Sequence, residues 1–342
     1  MTHVSIIGLD LAKNVFQAHG ADATGAAVLR KKLRRDQLLA FFTAQAPCVV
    51  AMEACPGAHH WGREIAKLGH TVKLIAPAYV KPFVKRQKND AADAEAICEA
   101  AQRPTMRFVA VKSEAKQASA AVFRSRDILV GQRTQVINAI RGHLAEYGLV
   151  APQGPSHVEQ LIAQIEDPNS TVPQAARTCL KVLVGTLRHL QTQVATLDAE
   201  ISARAKADAT ARRLMSVPGI GVVSVLAYVS TVEDPDRFTR SRSVGAHMGL
   251  TPRQYQSGEV DRSGRISRCG DTLARTLMYE AAVVILTRVK RASGLKDWAQ
   301  AIAKRSGAGK ARVALARKLC VILHSIWRSG EPFRWSEQPA GA

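Results

Sequence analysis

Residues 4–14, VSIIGLDLAKN, decide how this chain is read. Residues 4–9 are a short apolar run rich in β-branched side chains, which reads as a buried strand, and Asp10 stands at its end. Working outward, NVFQAHGAD (14–22) and AAVLRKKLR (26–34) complete a three-strand meander, with turns marked by Asp22 and Gly25. DQLLAFFTAQ (36–45) has helical spacing, and PCVVAMEA (47–54) is a further apolar strand that ends near Glu53. HHWGREIAKLG (59–69) is a helix closing on Gly69, and TVKLIAP (71–77) is a fifth strand. A basic stretch, VKPFVKRQKND (80–90), leads into a helix, AADAEAICEAAQR (91–103). The order βββαβαβα predicts a mixed α/β domain over residues 1–112.

Four carboxylates in that domain carry chemistry. Adjacent parallel strands that end together place Asp10 and Glu53 at one sheet edge. Asp90 and Asp93, spaced i, i+3 at the start of a helix, share one of its faces. Taken singly, Asp10 could be an ordinary strand-end residue and Asp90 a helix N-cap. Four convergent carboxylates repel one another unless a cation sits among them. Oxygen ligands of this kind suit one or two Mg²⁺ ions, and two ions ~3.5–4 Å apart clamp the attacking and leaving oxygens of an in-line displacement. Glu95 is turned away from Asp90 and Asp93 by the helix register.

From residue 115 the pattern is helical, with Val122, Leu129, Val136, Ile140 and Leu144 at steps of 4 and 7. Residues 148–173 hold four prolines and break regularity. Then Leu180, Leu183, Leu187, Leu190, Val194, Leu197 and Ile201 form a strict heptad seam. Residues 113–211 therefore read as a helical coiled-coil arm, either antiparallel within the chain or dimerising. Residues 212–330 read as a second, mostly helical domain, and 331–342 as a flexible tail.

LMSVPGIGVVSVLAYVSTV (214–232) sets Pro-Gly-Ile-Gly between two apolar helical stretches. Gly219 and Gly221 allow a tight, helix-hairpin-helix-like turn whose backbone N–H groups can approach a phosphate, or simply a turn between packed helices. The following segment, 238–282, is rich in arginine, hydroxyls and glycine. Arg253, Arg262, Arg265 and Arg268 are expected to fork onto nucleic-acid phosphates. Composition does not choose among Ser241, Ser243, Ser257, Ser263 and Ser267 as a nucleophile. SGAGKARVALARKL (306–319) lacks the Ser/Thr of a P-loop, because Ala311 follows Lys310, and reads as a basic amphipathic helix. The tryptophans at 61, 298, 327 and 335 read as core or edge residues.

Composition agrees. The 342 residues suggest about two domains, and 46% hydrophobic with 22% charged residues is ordinary for a folded chain. The formal net charge of +20 is the footprint of a nucleic-acid binder and argues against an enzyme of small neutral metabolites. The charge strengthens toward the C-terminus, with 20 basic and 10 acidic residues from 216 to 342. Six cysteines without CxxC spacing suggest neither zinc nor a disulfide framework. No leader and no membrane-length apolar run is seen, so a cytoplasmic protein is expected, nucleoid-associated when active.

Across essentially its whole length the chain resembles the insertion-sequence 110 transposases, subgroup 1111. GLDLAKN and KNDAADA match the first and last acidic motifs of that family's RuvC-like, RNase-H-fold DEDD domain, and 126–149 matches its following helical segment. The C-terminal pattern PGIG, GL-P, SG and then a glycine-rich basic run matches too, with Cys269 at a position often basic in relatives. The resemblance implies that Asp10, Glu53, Asp90 and Asp93 bind Mg²⁺ and that Ser257 is the nucleophile of cut-and-rejoin chemistry through a phosphoserine. It further implies donor and target DNA, a bridge RNA, and a dimer that becomes a tetramer on DNA, with the composite site formed within a chain or across protomers. The other readings are a RuvC-like hydrolytic nuclease of the Holliday-junction type and a non-catalytic nucleic-acid-binding protein.

Overall fold

The structure, a computed structural model, describes residues 3–85 and 89–335. Residues 86–88 of the basic stretch and 336–342 of the expected tail lie outside the described residues. The chain forms two compact units, Met1–Gln117 and Ala118–Ala342.

The first unit is built on the apolar runs read above. Strands β1 (Ile6–Asp10), β2 (Val15–Ala21) and β3 (Ala27–Arg34) form an antiparallel meander. Helix α1 (Leu38–Thr43) leads to β4 (Val49–Glu53), and α2 (Ala58–Lys67) leads to β5 (Thr71–Ile75). The β1–β4 and β4–β5 pairs are parallel, as crossover helices require. After the single-turn α3 (Pro77–Val80) comes α4 (Asp90–Ala101). A two-residue strand, β6 (Phe108–Val109), closes the edge and completes the order β3-β2-β1-β4-β5-β6. Sequence reading passes over β6 because two residues carry no period.

Alternation along the strands sorts the core into two layers. Ile7, Leu9, Val50 and Met52 pack with Phe42, Trp61 and Ile65 of α1 and α2. Ile6, Ala51 and Ile75 pack on the other face with Ala96, Ile97 and Ala100 of α4.

The second unit is mostly helical. Helix α5 (Glu114–Ala145) is followed by α6 (Val158–Glu166) and α7 (Gln174–Ala207). The proline-rich break thus contains a helix that sequence reading missed, bounded by Pro155 and Pro168. Leu180 and Leu187 of the α7 seam are buried against Ile137 and Ile140 of α5 and Leu161 and Ile165 of α6, all within the chain. Arg126 of α5 pairs with Asp198 of α7, as expected of antiparallel neighbours.

Helices α8 (Ala209–Leu214) and α9 (Val222–Val232) flank the Pro-Gly-Ile-Gly turn, and α10 (Arg242–His247) follows. A two-stranded ribbon, β7 (Pro252–Ser257) and β8 (Val260–Ile266), then interrupts the helices. Helices α11 (Thr272–Thr287), α12 (Gly294–Ser306) and α13 (Ala308–Ser329) complete the unit. Their core gathers Tyr228, Met278, Ile285, Leu315, Leu319 and Leu323. Phe333, within the expected tail, packs against this core, and its backbone N–H donates to Ser216 Oγ at 2.8 Å.

Candidate active site

The acidic edge follows from strand register. β1 and β4 pair with Leu9 opposite Met52, so Asp10 and Glu53 occupy the next rung of two parallel strands, which lie about 4.8 Å apart. Asp10 shares a face with Ile6 and Gly8, and Glu53 with Ala51, and this is the face that α4 covers. Gly8 sets how closely α4 approaches. A Cβ there would stand 2.3 Å from the Ala94 carbonyl oxygen and 2.5 Å from the Cys98 nitrogen, so only glycine admits the helix. Asp90 and Asp93 ride on the first turn of that helix, toward the strand ends.

The helix cap is Asn89, whose side chain accepts from the Ala91 N–H at 3.0 Å. Asp90 is therefore free of the capping role considered for it. Glu95 pairs with Lys85 instead of joining the cluster.

The other three carboxylates of the cluster act on Asp10. Burial pushes the Asp10 carboxyl up to about 6, and the charges of Asp93, Asp90 and Glu53 push the same way, against a lowering contribution from the Leu11 N–H. Glu53 is raised by burial and then by Asp93. The Cys55 thiol, beside the edge, is raised by burial and then by Glu53 and Asp10. Sequence reading did not single out Cys55; its place two residues after Glu53 was the only signal. Among the described residues no three His, Cys, Asp or Glu side chains close tightly enough on one point to hold a metal ion as they stand. The donor set nevertheless fits a hard divalent cation. It is all oxygen, with Asp10, Glu53 and Asp93 half-buried and Asp90 exposed, and its charges oppose one another at Asp10 unless a cation offsets them.

Ser257 belongs to the second unit. It ends β7 and pairs with Val260 across the two-residue turn Gly258-Glu259, where Gly258 has φ +55°, a position hairpin turns give to glycine. Every residue of β7 is exposed. Tyr255 pairs with Arg262, so Ser257, Tyr255, Val260 and Arg262 share one face of the ribbon. The register shifts near Arg253, whose guanidinium donates to the Ser267 carbonyl at 3.3 Å. Arg262 and Arg265 lie on β8, and Arg268 follows it with a left-handed φ of +57°.

The ribbon's root is rigidly tied. Cβ atoms at Gly249 and Gly270 would stand 2.1 Å from the Cys269 carbonyl and 2.0 Å from the His247 carbonyl, so the two connections cross in contact. Arg275 of α11, 9% exposed, donates through Nη1 to the carbonyls of Met248, Arg268 and Cys269 at 3.4, 3.1 and 3.3 Å. Its Nη2 donates to Thr272 Oγ1 at 3.1 Å. Sequence reading missed Arg275; the signal was one cation three and seven residues before Met278 and Ala282, on the apolar face of a helix.

The glycine turn serves packing at one of its two positions. Gly219 has φ +77°, and a Cβ there would stand 2.7 Å from the Ala281 carbonyl of α11. Gly221 is exposed, at the N-cap of α9, with open space around it.

Residues 7–149 match the family model of the IS110-type DEDD transposase domain, and residues 211–299 match that of the IS116/IS110/IS902 transposase family. The chain is 42% identical to a Pseudomonas aeruginosa protein named "Probable family 20 transposase", over 95% of this chain and 97% of that one. It is 38% identical to the transposase for insertion sequence element IS1328 of Yersinia enterocolitica, over 97% of this chain and 99% of the relative. With the transposase for IS1111A of Coxiella burnetii the identity is 36%, over 98% and 92%.

Proposed function

This chain belongs to the IS116/IS110/IS902 family of insertion-sequence transposases, enzymes that recombine DNA, and from that premise we propose how it does so. The first unit is a RuvC-like, RNase-H-fold nuclease domain. The order β3-β2-β1-β4-β5, antiparallel for three strands and then parallel, supports that reading. The divisions read from sequence are kept: a catalytic domain to 112, a helical arm to 211, and a C-terminal serine domain to 330.

The observation that carries the mechanism is the rung formed by Asp10 and Glu53 beneath the first turn of α4, with Asp10 held near 6. Asp10, Glu53, Asp90 and Asp93 are the residues that would hold Mg²⁺, as one or two ions. Bound there, Mg²⁺ would offset charge on the pentavalent phosphate and ease loss of the serine proton. Ser257 Oγ attacks phosphorus, an Oγ–P bond forms, and one sugar P–O bond breaks, the sugar oxygen taking up a proton. Attack by another sugar hydroxyl on the phosphoserine reverses these changes on a new strand, so rejoining needs no external energy source. Arg253, Arg262, Arg265 and Arg268 hold the flanking phosphates, with the Gly219–Gly221 turn a lesser contact.

The substrates are donor and target DNA, selected with a bridge RNA, and the working assembly is a dimer that becomes a tetramer on DNA. The basic charge supports nucleic-acid partners of either kind. The protein works in the cytoplasm, on the nucleoid. Among the described residues no helix is long and apolar enough to cross a membrane.

The test incubates protein, junction DNA of the element, Mg²⁺ and RNA from its flank, then resolves the products on a denaturing gel. A protein-linked strand, lost in Ser257→Ala, is the expected result. Free nicked ends of equal yield in both proteins would establish the hydrolytic nuclease instead, and salt-sensitive binding without Mg²⁺-dependent cleavage would leave only a binding protein.

A further inference from the structure

At the root of the ribbon the second unit holds a cleft of about 1160 Å³. Six cations line it: Arg242, Arg265, Arg268, Lys310, Arg317 and Lys318. No carboxylate lines it, and among the described residues none of the six forms an ion pair. Only Arg265 and Arg268 were expected on nucleic acid from sequence. The rest come from α10 and from the basic helix that the P-loop comparison set aside.

The α13 contribution is one helical face. Lys310, Val313, Ala314, Arg317, Lys318 and Val321 fall at i, i+3, i+4, i+7, i+8 and i+11. The opposite stripe, with Leu315, Leu319 and Leu323, fills the core. The helix therefore has two apolar stripes, and cations interleave with the second. The Arg317 stem lies across α10 at Gly245, where a Cβ would stand 2.8 Å from Arg317 Cγ. Lys318 Nζ sits 5.5 Å from the centre of the half-buried Trp298 ring, which walls the cleft.

Phosphate recognition alone needs cations, not apolar walls. A duplex stacks its bases inside and offers only phosphates and groove edges to a protein. A concave site combining cations with Trp298, Val313 and Ile266 fits a strand whose bases are unstacked, with phosphates on the rim and a base against the wall. We propose that this cleft binds an unpaired nucleic-acid strand. Its place in the reaction, holding a strand opened during exchange, rests on the recombinase reading above; the binding itself does not.

The experiment uses the full chain without Mg²⁺. Fluorescence anisotropy is read with a labelled single-stranded DNA, an RNA of the same sequence, and the blunt DNA duplex, across a salt series. In Arg317→Ala/Lys318→Ala, single-strand affinity should fall at least about tenfold and the salt slope should shrink by about 1.4, for two lost phosphate contacts. Duplex affinity should change less than about threefold. Lys310→Glu, on the exposed first turn of α13, should give the same selective loss, with thermal melts verifying the fold of both variants. Equal losses on single strand and duplex, or none on the single strand, would overturn the proposal. The stronger of the DNA and RNA arms identifies the strand. A wild-type protein that binds the strand selectively yet forms no serine adduct would remove the serine mechanism and leave the cleft.

Discussion

The acidic edge and the β7–β8 ribbon, which the proposed reaction brings into one chemistry, are built in opposite settings. Asp10 and Glu53 sit half-buried on regular strands, under a helix whose distance Gly8 dictates, and burial together with neighbouring carboxylates raises both. Ser257 stands exposed at a ribbon tip, and among the described residues its side chain makes no hydrogen bond within the protein. One region is a set of carboxylates that raises the Asp10 carboxyl. The other is an exposed hydroxyl on a tied root. A serine hydroxyl is a weak nucleophile at neutral pH, so in the proposed reaction its activation must come from the acidic region and the substrate.

The sharpest test of that contrast replaces each partner. Ser257→Ala and Asp10→Asn should both reduce adduct formation by roughly 10³-fold or more. Their effects on stability should differ. Ser257→Ala leaves the metal-free melting temperature unchanged, whereas Asp10→Asn raises it by removing a repelled, half-buried charge. A lower melting temperature in Asp10→Asn would break the contrast.

Next in size is Gly8→Ala. The added methyl meets the Ala94 carbonyl and displaces α4, so the protein should lose about 1–3 kcal/mol in denaturant unfolding. Asp90 and Asp93 move with the helix, and strand transfer should fall with them. Unchanged activity would mean that the approach of α4 does not position the carboxylates.

Arg275→Ala attacks the other region through its root. Three carbonyls lose their donor, at a cost of about 1–3 kcal/mol, and adduct formation should fall about tenfold. Melting without nucleic acid should still respond to Mg²⁺, because the carboxylates lie in the other unit. Loss of that response would tie the two regions together in the free protein.

The smallest effect is a pH dependence. Asp10 holds its proton up to about 6 in the folded state, against 3.8 for its ordinary value. The folded form therefore binds more protons across that window, and metal-free stability falls as pH rises through it. Mg²⁺ offsets the charge once it forms, so the metal should raise the melting temperature more at pH 7.5 than at pH 5. An equal shift at both values would remove Asp10 from the metal site.

Much of the first unit was legible because its strands are apolar, alternate between two covered faces, and end in polar residues. The second unit hid its decisive parts. The β7–β8 ribbon is exposed on both sides, so its residues follow no hydrophobic period, and in sequence the segment shows only as rich in arginine, hydroxyls and glycine. The two stripes of α13 blur into one basic amphipathic helix when no neighbour is known. The Pro-Gly-Ile-Gly turn reads either as a phosphate approach or as a turn between packed helices, and only the structure shows the Ala281 carbonyl that Gly219 packs against.

Taken alone, the amino-acid sequence determined the alternation of strands and helices in the first unit, the four carboxylates at element ends, the basic charge and the family pattern around Ser257. These are local or compositional properties, set by side-chain period and residue type. Only the tertiary structure decided that Asp10 and Glu53 share a rung, that α4 rests on Gly8, that Arg275 ties the ribbon's root, and that α13 walls a cationic cleft. Each of those facts joins residues distant in the chain, and such contacts depend on pairing register and close packing, which no local period encodes.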